Sequence, residues 1–304
     1  MTASSHDKLF KGAFGEPTRA AQELRFVLPP AIVQHLDLTA LQPVPGSFLE
    51  ANFKHTHSDL LFAAPLAGRD ARVYILFEHK SYNDKHTPLQ LLHSIAAIWQ
   101  SALLAEPPPE FYPPVIPVVV HHSRSGWQRS TSLDDLLDPI IHQLPELQRL
   151  TPRFEFLLDD FSHATDAELR ARALDAYATL ALLFLRDARI RDRLITALRT
   201  RWGDLMTRLI QADSNRQALG ILMSYAMQVV EDLRQEDLEL AIRDYLPDAK
   251  EFLMTLAQQL RQEGMERGTQ QGPADRPKRT TPGTAHREVR GARLSCPRAP
   301  GSGR

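Results

Sequence analysis

Two apolar runs, HSDLLFAAPL at residues 57–66 and RVYILFEHK at 72–80, stand on either side of the turn signal AGRD at 67–70. Runs of this length, bounded by Gly and Asp, read as the two strands of an antiparallel hairpin. The second run begins as a buried strand and then delivers Glu78 and Lys80 at its end. Side chains on a strand alternate between faces, so these two point one way and His79 the other. A carboxylate and an ammonium at the end of so apolar a strand call for a reason other than core packing. The first run supplies a matching group. Asp59 lies eight residues before the turn and Glu78 eight after it, so the hairpin makes them neighbours at its open end.

The flanking chain completes an α/β pattern. Residues 6–28 read as a helix broken at Gly15, with Pro17 suited to the first turn of the second half. A short helix over 31–36 and a weak strand over 46–53 follow. After the hairpin, TPLQLLHSIAAIWQSALL at 87–104 reads as a helix with Thr87 as its N-cap and Pro88 as its first residue. Leu89, Leu92, Ala96, Trp99 and Leu103 form its apolar stripe. VIPVVVHH at 115–122 is a continuous apolar run between breakers, a buried strand, and 153–161 offers one more. From about 165 to 266 the pattern is helical, with ATDAELRARALDAYATLALLFL its clearest stretch. Helix, three strands, helix and strand make an α/β core with a mixed sheet. The expected organisation is a core domain over 1–150, a mostly α-helical region over 151–267 and a tail over 268–304. That tail holds six Gly and five Pro in 37 residues and reads as disordered.

Charge narrows the function. The tail carries eight Lys and Arg against two Asp and Glu, whereas residues 1–267 carry 28 against 35. A mildly acidic body argues against coating nucleic acid by charge alone, though not against contact through a local basic strip. Cys296 is the lone cysteine, which excludes an internal disulfide framework and a cysteine-based zinc site. The N-terminus lacks the apolar core of a signal peptide, and no run of eighteen apolar residues occurs. A cytoplasmic protein without membrane association is expected.

Two carboxylates side by side are costly unless a cation lies between them. Hard divalent ions such as Mg²⁺ take one or two carboxylates together with water and phosphate oxygens. Asp59, Glu78 and Lys80 therefore suit metal-dependent phosphodiester hydrolysis, with Lys80 positioning the water. The competing view is a solvated strand end with a structural Asp59–Lys80 ion pair. Other polar groups have plainer readings. His55, His57, His79, His86, His121 and His122 resemble scattered histidines more than a zinc or manganese site. Asp7 beside His6 suits a helix cap, and Gln90, His93 and Gln100 suit a water-facing helix stripe.

An Asp at the start of one strand and E-x-K at the end of the next, in αβββαβ order, resemble the PD-(D/E)XK nuclease superfamily. More closely, HDKLFKGAF, SDLLF, LFEHKS, PLQLLH and PPVIPVVVHH followed by a Trp resemble the recombination-promoting nuclease/putative transposase family of bacteria, over residues 6–265. The resemblance implies a restriction-endonuclease-like αβββαβ core. It implies Asp59 and Glu78 as ligands of Mg²⁺ or Mn²⁺, with the backbone carbonyl of His79 as a further ligand. Lys80 would orient the water, where family members often carry Gln, and Gln90 would assist from the following helix. The superfamily's first-helix glutamate has two candidates, Glu16 and Glu23, and Glu50 is an alternative that completes the site. The implied activity is a metal-dependent DNA endonuclease of little sequence specificity, linked to recombination or mobile elements. Dimerisation would suit a nuclease that cuts both strands. The rival class is a non-catalytic nuclease-fold protein that binds DNA or protein, which the acidic body favours and the intact Asp59, Glu78 and Lys80 oppose.

Overall fold

The computed structural model describes residues 5–44, 60–67, 69–211 and 216–270, with the side chains of 69–79 and 267–270 excepted. The chain divides into two compact units, Met1–Arg261 and Gln262–Arg304. The tail from residue 271 and the weak strand expected over 46–53 lie outside the described residues.

Two N-terminal helices open the first unit, α1 (Ser5–Phe14) and α2 (Pro17–Val27). They separate at Gly15, as the sequence implied. Gly15 N–H closes the last turn of α1 on Lys11 O at 2.8 Å. A β-carbon there would stand 2.5 Å from that same oxygen, so only glycine fits. Pro17 is the first residue of α2, and the Glu16 carboxylate caps it by accepting from Thr18 and Arg19 N–H. The short helix expected over 31–36 occupies Pro30–Val33.

The sheet has five strands among the described residues, ordered β1-β2-β3-β4-β5: Gln42–Pro43, Leu60–Leu66, Arg69–Lys80, Val115–His121 and Leu157–Asp160. β2 and β3 form the expected antiparallel hairpin, with Leu60 paired to Phe77. Ala67, with φ of 52°, makes the turn. β3, β4 and β5 run parallel, so the sheet is mixed. The connection from β3 to β4 passes through helix α3 (Thr87–Ala102).

Strand alternation sorts the apolar residues into two layers. Phe62, Ala64, Val118 and Val120 face a large core built with Leu9, Phe10 and Phe14 of α1 and Leu24 of α2. Leu61 and Val119 face a smaller core built with Leu91, Ala97 and Ile98 of α3. The face of α3 differs from the expected one. Leu91, Ser94, Ile95 and Ile98 are buried, whereas Leu89 and Leu103 are about half exposed. α3 is apolar over most of its circumference, so two stripes satisfy the same spacing and packing on the sheet selects between them. Its start also shifts by one residue. His86 is the N-cap and Thr87 is already helical, its hydroxyl donating to Asp84 O at 2.9 Å.

Beyond β5 the chain is helical: α4 (Asp166–Arg170), α5 (Ala176–Asp187), α6 (Arg191–Thr200), α7 (Gly203–Gln211), α8 (Arg216–Val229), α9 (Gln235–Ile242) and α10 (Ala249–Gln270). The stretch that reads as one helix over 164–185 is two. Asp175 caps α5 by accepting from Ala178 N–H at 2.8 Å, and Ala173 turns the chain with φ of 56°. α5 is buried along nearly its whole length, and its core continues from Leu9 to Leu253. Strands and later helices therefore share one interior. No helix among the described residues is long and apolar enough to cross a membrane.

Candidate active site

The three parallel strands end in a row. Lys80 of β3 is paired with His121 of β4, and His121 with Asp160 of β5, so all three lie on the α3 face of the sheet. The carboxyl ends of parallel strands are where open α/β sheets bind ligands.

Lys80 is 8% exposed. Its Nζ donates to Gln90 Oε1 at 2.9 Å, and Gln90 Nε2 donates to Asp84 Oδ2 at 2.8 Å. The other Asp84 oxygen accepts from His86 N–H at 2.9 Å, directly before α3. Asp84 thus fixes the Gln90 amide so that its carbonyl is presented to Lys80. The Lys80 ammonium also lies 5.8 Å from the Tyr82 ring centroid. Gln90 is accordingly drawn out of the polar stripe proposed for this helix, while His93 and Gln100 remain exposed.

A second loop closes over the row. Asn83 Nδ2 donates to Gly126 O at 2.8 Å, and Asn83 Oδ1 accepts from Gln128 N–H at 2.9 Å. Gly126, with φ of 72°, packs so closely on Asp160 and His163 that a β-carbon would stand 3.1 Å from the Asp160 carboxylate. His121 is fully buried, with Nε2 3.0 Å from Ser123 Oγ and its ring edge-on to Trp127. Burial pushes the Asp160 carboxyl up, but hydrogen bonds from Ser162 and from Trp127 N–H outweigh it and hold it below the usual range.

On the opposite face the same strand ends meet α1. The His122 ring is 5.3 Å from His6, and the Tyr225 hydroxyl of α8 lies 2.8 Å from His6 Nδ1. His6 therefore approaches the strand ends. Asp7 is inside the first turn of α1 instead of at its cap. Arg189 Nη2 donates to Ser81 O at 3.4 Å, one residue beyond Lys80.

Of the residues singled out from sequence, Lys80 and Gln90 are brought into contact. Glu78 and His79 are paired through their backbones with Val119 and Val120, and their side chains lie outside the described residues. Asp59, Glu50, His55 and His57 lie outside them altogether. Among the described residues no group of three or more His, Cys, Asp or Glu side chains could hold a metal ion. His86 stands exposed at the start of α3.

Both first-helix glutamates are engaged elsewhere. Glu16 is spent on the α2 cap. Glu23 is fully buried against Arg172, which also grips Asp159 of β5 through two bonds of 2.6 and 2.9 Å. Asp159 pairs with Val120, one residue out of step with the Lys80 row, so this cluster occupies the other face. Asp84, Asn83 and Arg189 were missed from sequence. Asp84 had a legible signal, a carboxylate in the NDKHTP turn just ahead of a helix.

The family model described as putative transposase, YhgA-like, matches residues 4–217. The chain is 29% identical over 272 residues to an inactive recombination-promoting nuclease-like protein, RpnE, of Escherichia coli strain K12, covering 89% of this chain and 86% of that protein. It is 29% identical over 266 residues to the recombination-promoting nuclease RpnA of the same strain, covering 87% and 86%. It is 26% identical over 261 residues to the recombination-promoting nuclease RpnD of Escherichia coli O157:H7, covering 85% and 95%. No solved structure matches.

Proposed function

The chain belongs to the putative transposase, YhgA-like family, and from that premise we propose that it is a metal-dependent DNA endonuclease with a restriction-endonuclease-like core. The observation that carries this reading is the Lys80–Gln90–Asp84 chain at the end of β3. It holds an ammonium in a fixed place, one residue removed from His79 and two from Glu78. The described hairpin ladder ends at Leu60 and Phe77, each one residue short of Asp59 and Glu78.

In this reading Asp59, Glu78 and the carbonyl of His79 hold Mg²⁺ or Mn²⁺. A divalent ion held there would lower the pKa of a bound water and neutralise charge on the phosphodiester. Lys80 orients the attacking water, and Gln90, itself held by Asp84, keeps Lys80 from turning away. The sequence carries a single cysteine and so no cysteine-based zinc finger to read bases, and cutting is expected to depend little on base sequence. Relatives named as recombination-promoting nucleases support a role in recombination.

A second reading, a nuclease fold without cleavage, is favoured by one observation: a 29% identical relative is named inactive. Plasmid nicking separates the two. Purified protein is tested with Mg²⁺, Mn²⁺, Ca²⁺ or EDTA beside Asp59→Ala and Lys80→Ala. We expect metal-dependent cutting that drops by about 10²-fold or more in each variant. Folded wild type that fails to cut with every one of the metals supports the second reading. Cutting that survives both substitutions places the chemistry elsewhere.

A further inference from the structure

The end of α5, the link after it and the first turn of α6 carry Arg186, Arg189, Arg191 and Arg193 within eight residues. The link reaches the strand ends through the contact of Arg189 with Ser81 O. Next to it is a half-open cavity of about 350 Å³ whose polar lining includes Asp166, Arg186, Asp187, Arg193 and Arg201. Its floor is a charge network. Arg186, largely buried, donates to Asp166 Oδ1, to Asp187 Oδ2 and to Ala164 O, each at 2.5 Å. Asp187 is 2% exposed and is held from beneath.

Arg193 and Arg201 differ from Arg186. They lean on the same carboxylates at 3.1–3.6 Å, yet their side chains are 57% and 44% exposed. Their guanidiniums meet the protein through these ion pairs and the Trp202 ring, not through side-chain hydrogen bonds among the described residues. Three guanidiniums against two carboxylates leave an excess of one positive charge. A purely structural network would direct its donors inward. Here two largely exposed forked donors line the cavity, each ion-paired to a carboxylate of the network.

We propose that this cavity binds a phosphate of the DNA backbone, gripped by Arg193 and Arg201, which Asp166 and Asp187 hold in place. The proposal rests on the reading of the Lys80 edge as the cleavage site. It also answers how a chain whose first 267 residues carry more acid than base can hold DNA: through a local basic strip. The cavity wall at Ser162 and His163 follows directly on β5. β5 is two strands from β3, about 10 Å across the sheet. One strand of B-form DNA advances about 3.4 Å per nucleotide. The bound phosphate would thus lie about three nucleotides from the bond that is cut.

The test is binding of a fluorescent duplex of random sequence, followed by anisotropy in EDTA over a range of salt. Wild type is compared with Arg193→Gln/Arg201→Gln and with a control, Arg149→Ala/Arg243→Ala, whose arginines are exposed elsewhere. The pocket variant should bind about tenfold more weakly, with the slope of log K against log salt shallower by about one. The control should match wild type. Because Arg201 also stacks on Trp202, Arg193→Gln alone is measured as well, with a smaller loss expected if the double variant fails to fold. Unchanged affinity and slope in the folded pocket variants overturn the proposal, as does wild type that binds no DNA. Binding through the pocket without any metal-dependent cutting would keep the pocket and remove the nuclease reading.

Discussion

Lys80 and Arg172 are two cations almost equally buried on opposite faces of one sheet, at 8% and 7% exposure, and they are held in different ways. Arg172 bridges the carboxylates of Glu23 and Asp159 and lies 4.4 Å from the Phe26 ring. It ties α2, β5 and the α4–α5 link together deep inside the molecule. Lys80 donates to an amide, that of Gln90, and stands where three parallel strands end. An enclosed ion cluster costs desolvation and returns structural definition. Lys80 instead stands at the strand ends, with a neutral amide among the groups that hold it.

The contrast has measurable consequences. Arg172→Ala leaves two carboxylates buried together and should destabilise the fold by about 3–5 kcal/mol in urea unfolding. A loss below about 1 kcal/mol would break the contrast, since Arg172 would then be no more structural than a surface residue. Gln90→Ala should fold normally and lower kcat by about tenfold with KM unchanged, because it frees Lys80 without removing it. A change in KM alone would move Gln90 from positioning to substrate binding.

The gentlest test uses pH. Burial, and then the charge of Asp159, hold the Glu23 carboxyl well above its ordinary range, against the pull of Arg172. The folded state thus retains this proton longer than the unfolded chain does. The resulting stability is fully present below the ordinary carboxylate value and is lost as pH rises through the raised one. Glu23→Gln has no such proton to lose. Wild type should therefore lose stability relative to Glu23→Gln as pH is raised above about 4.5. Parallel stability curves for the two proteins would show that Glu23 stays ionised beside Arg172.

Much of this fold was readable from local rules. The break at Gly15, the hairpin on either side of residue 67 and the buried strand at 115 follow from turn residues and apolar runs. The Lys80–Gln90 contact was legible only as two separate residues, one at a strand end and one early on the next helix. Its third member, Asp84, belongs to a turn whose hydrogen bonds no periodicity reports. The Glu23–Arg172–Asp159 cluster was beyond reach for another reason. Its residues are 149 and 13 positions apart, and Arg172 sits in what reads as a continuous helix. Asp175 interrupts that helix by capping the next one, which sends Arg172 inward. The face of α3 was ambiguous because its apolar residues nearly encircle it, and only the sheet decides which side is covered.

His6 and Tyr225 touch although 219 residues separate them. A ribosome releases the chain from its N-terminus, so α1 emerges long before the helix that receives it. Until α8 has been synthesised, the N-terminal end of α1 lacks that partner beside the strand ends. The order of synthesis therefore delays completion of this edge until α8 has emerged, a built-in interval between making α1 and finishing the surface it helps to form.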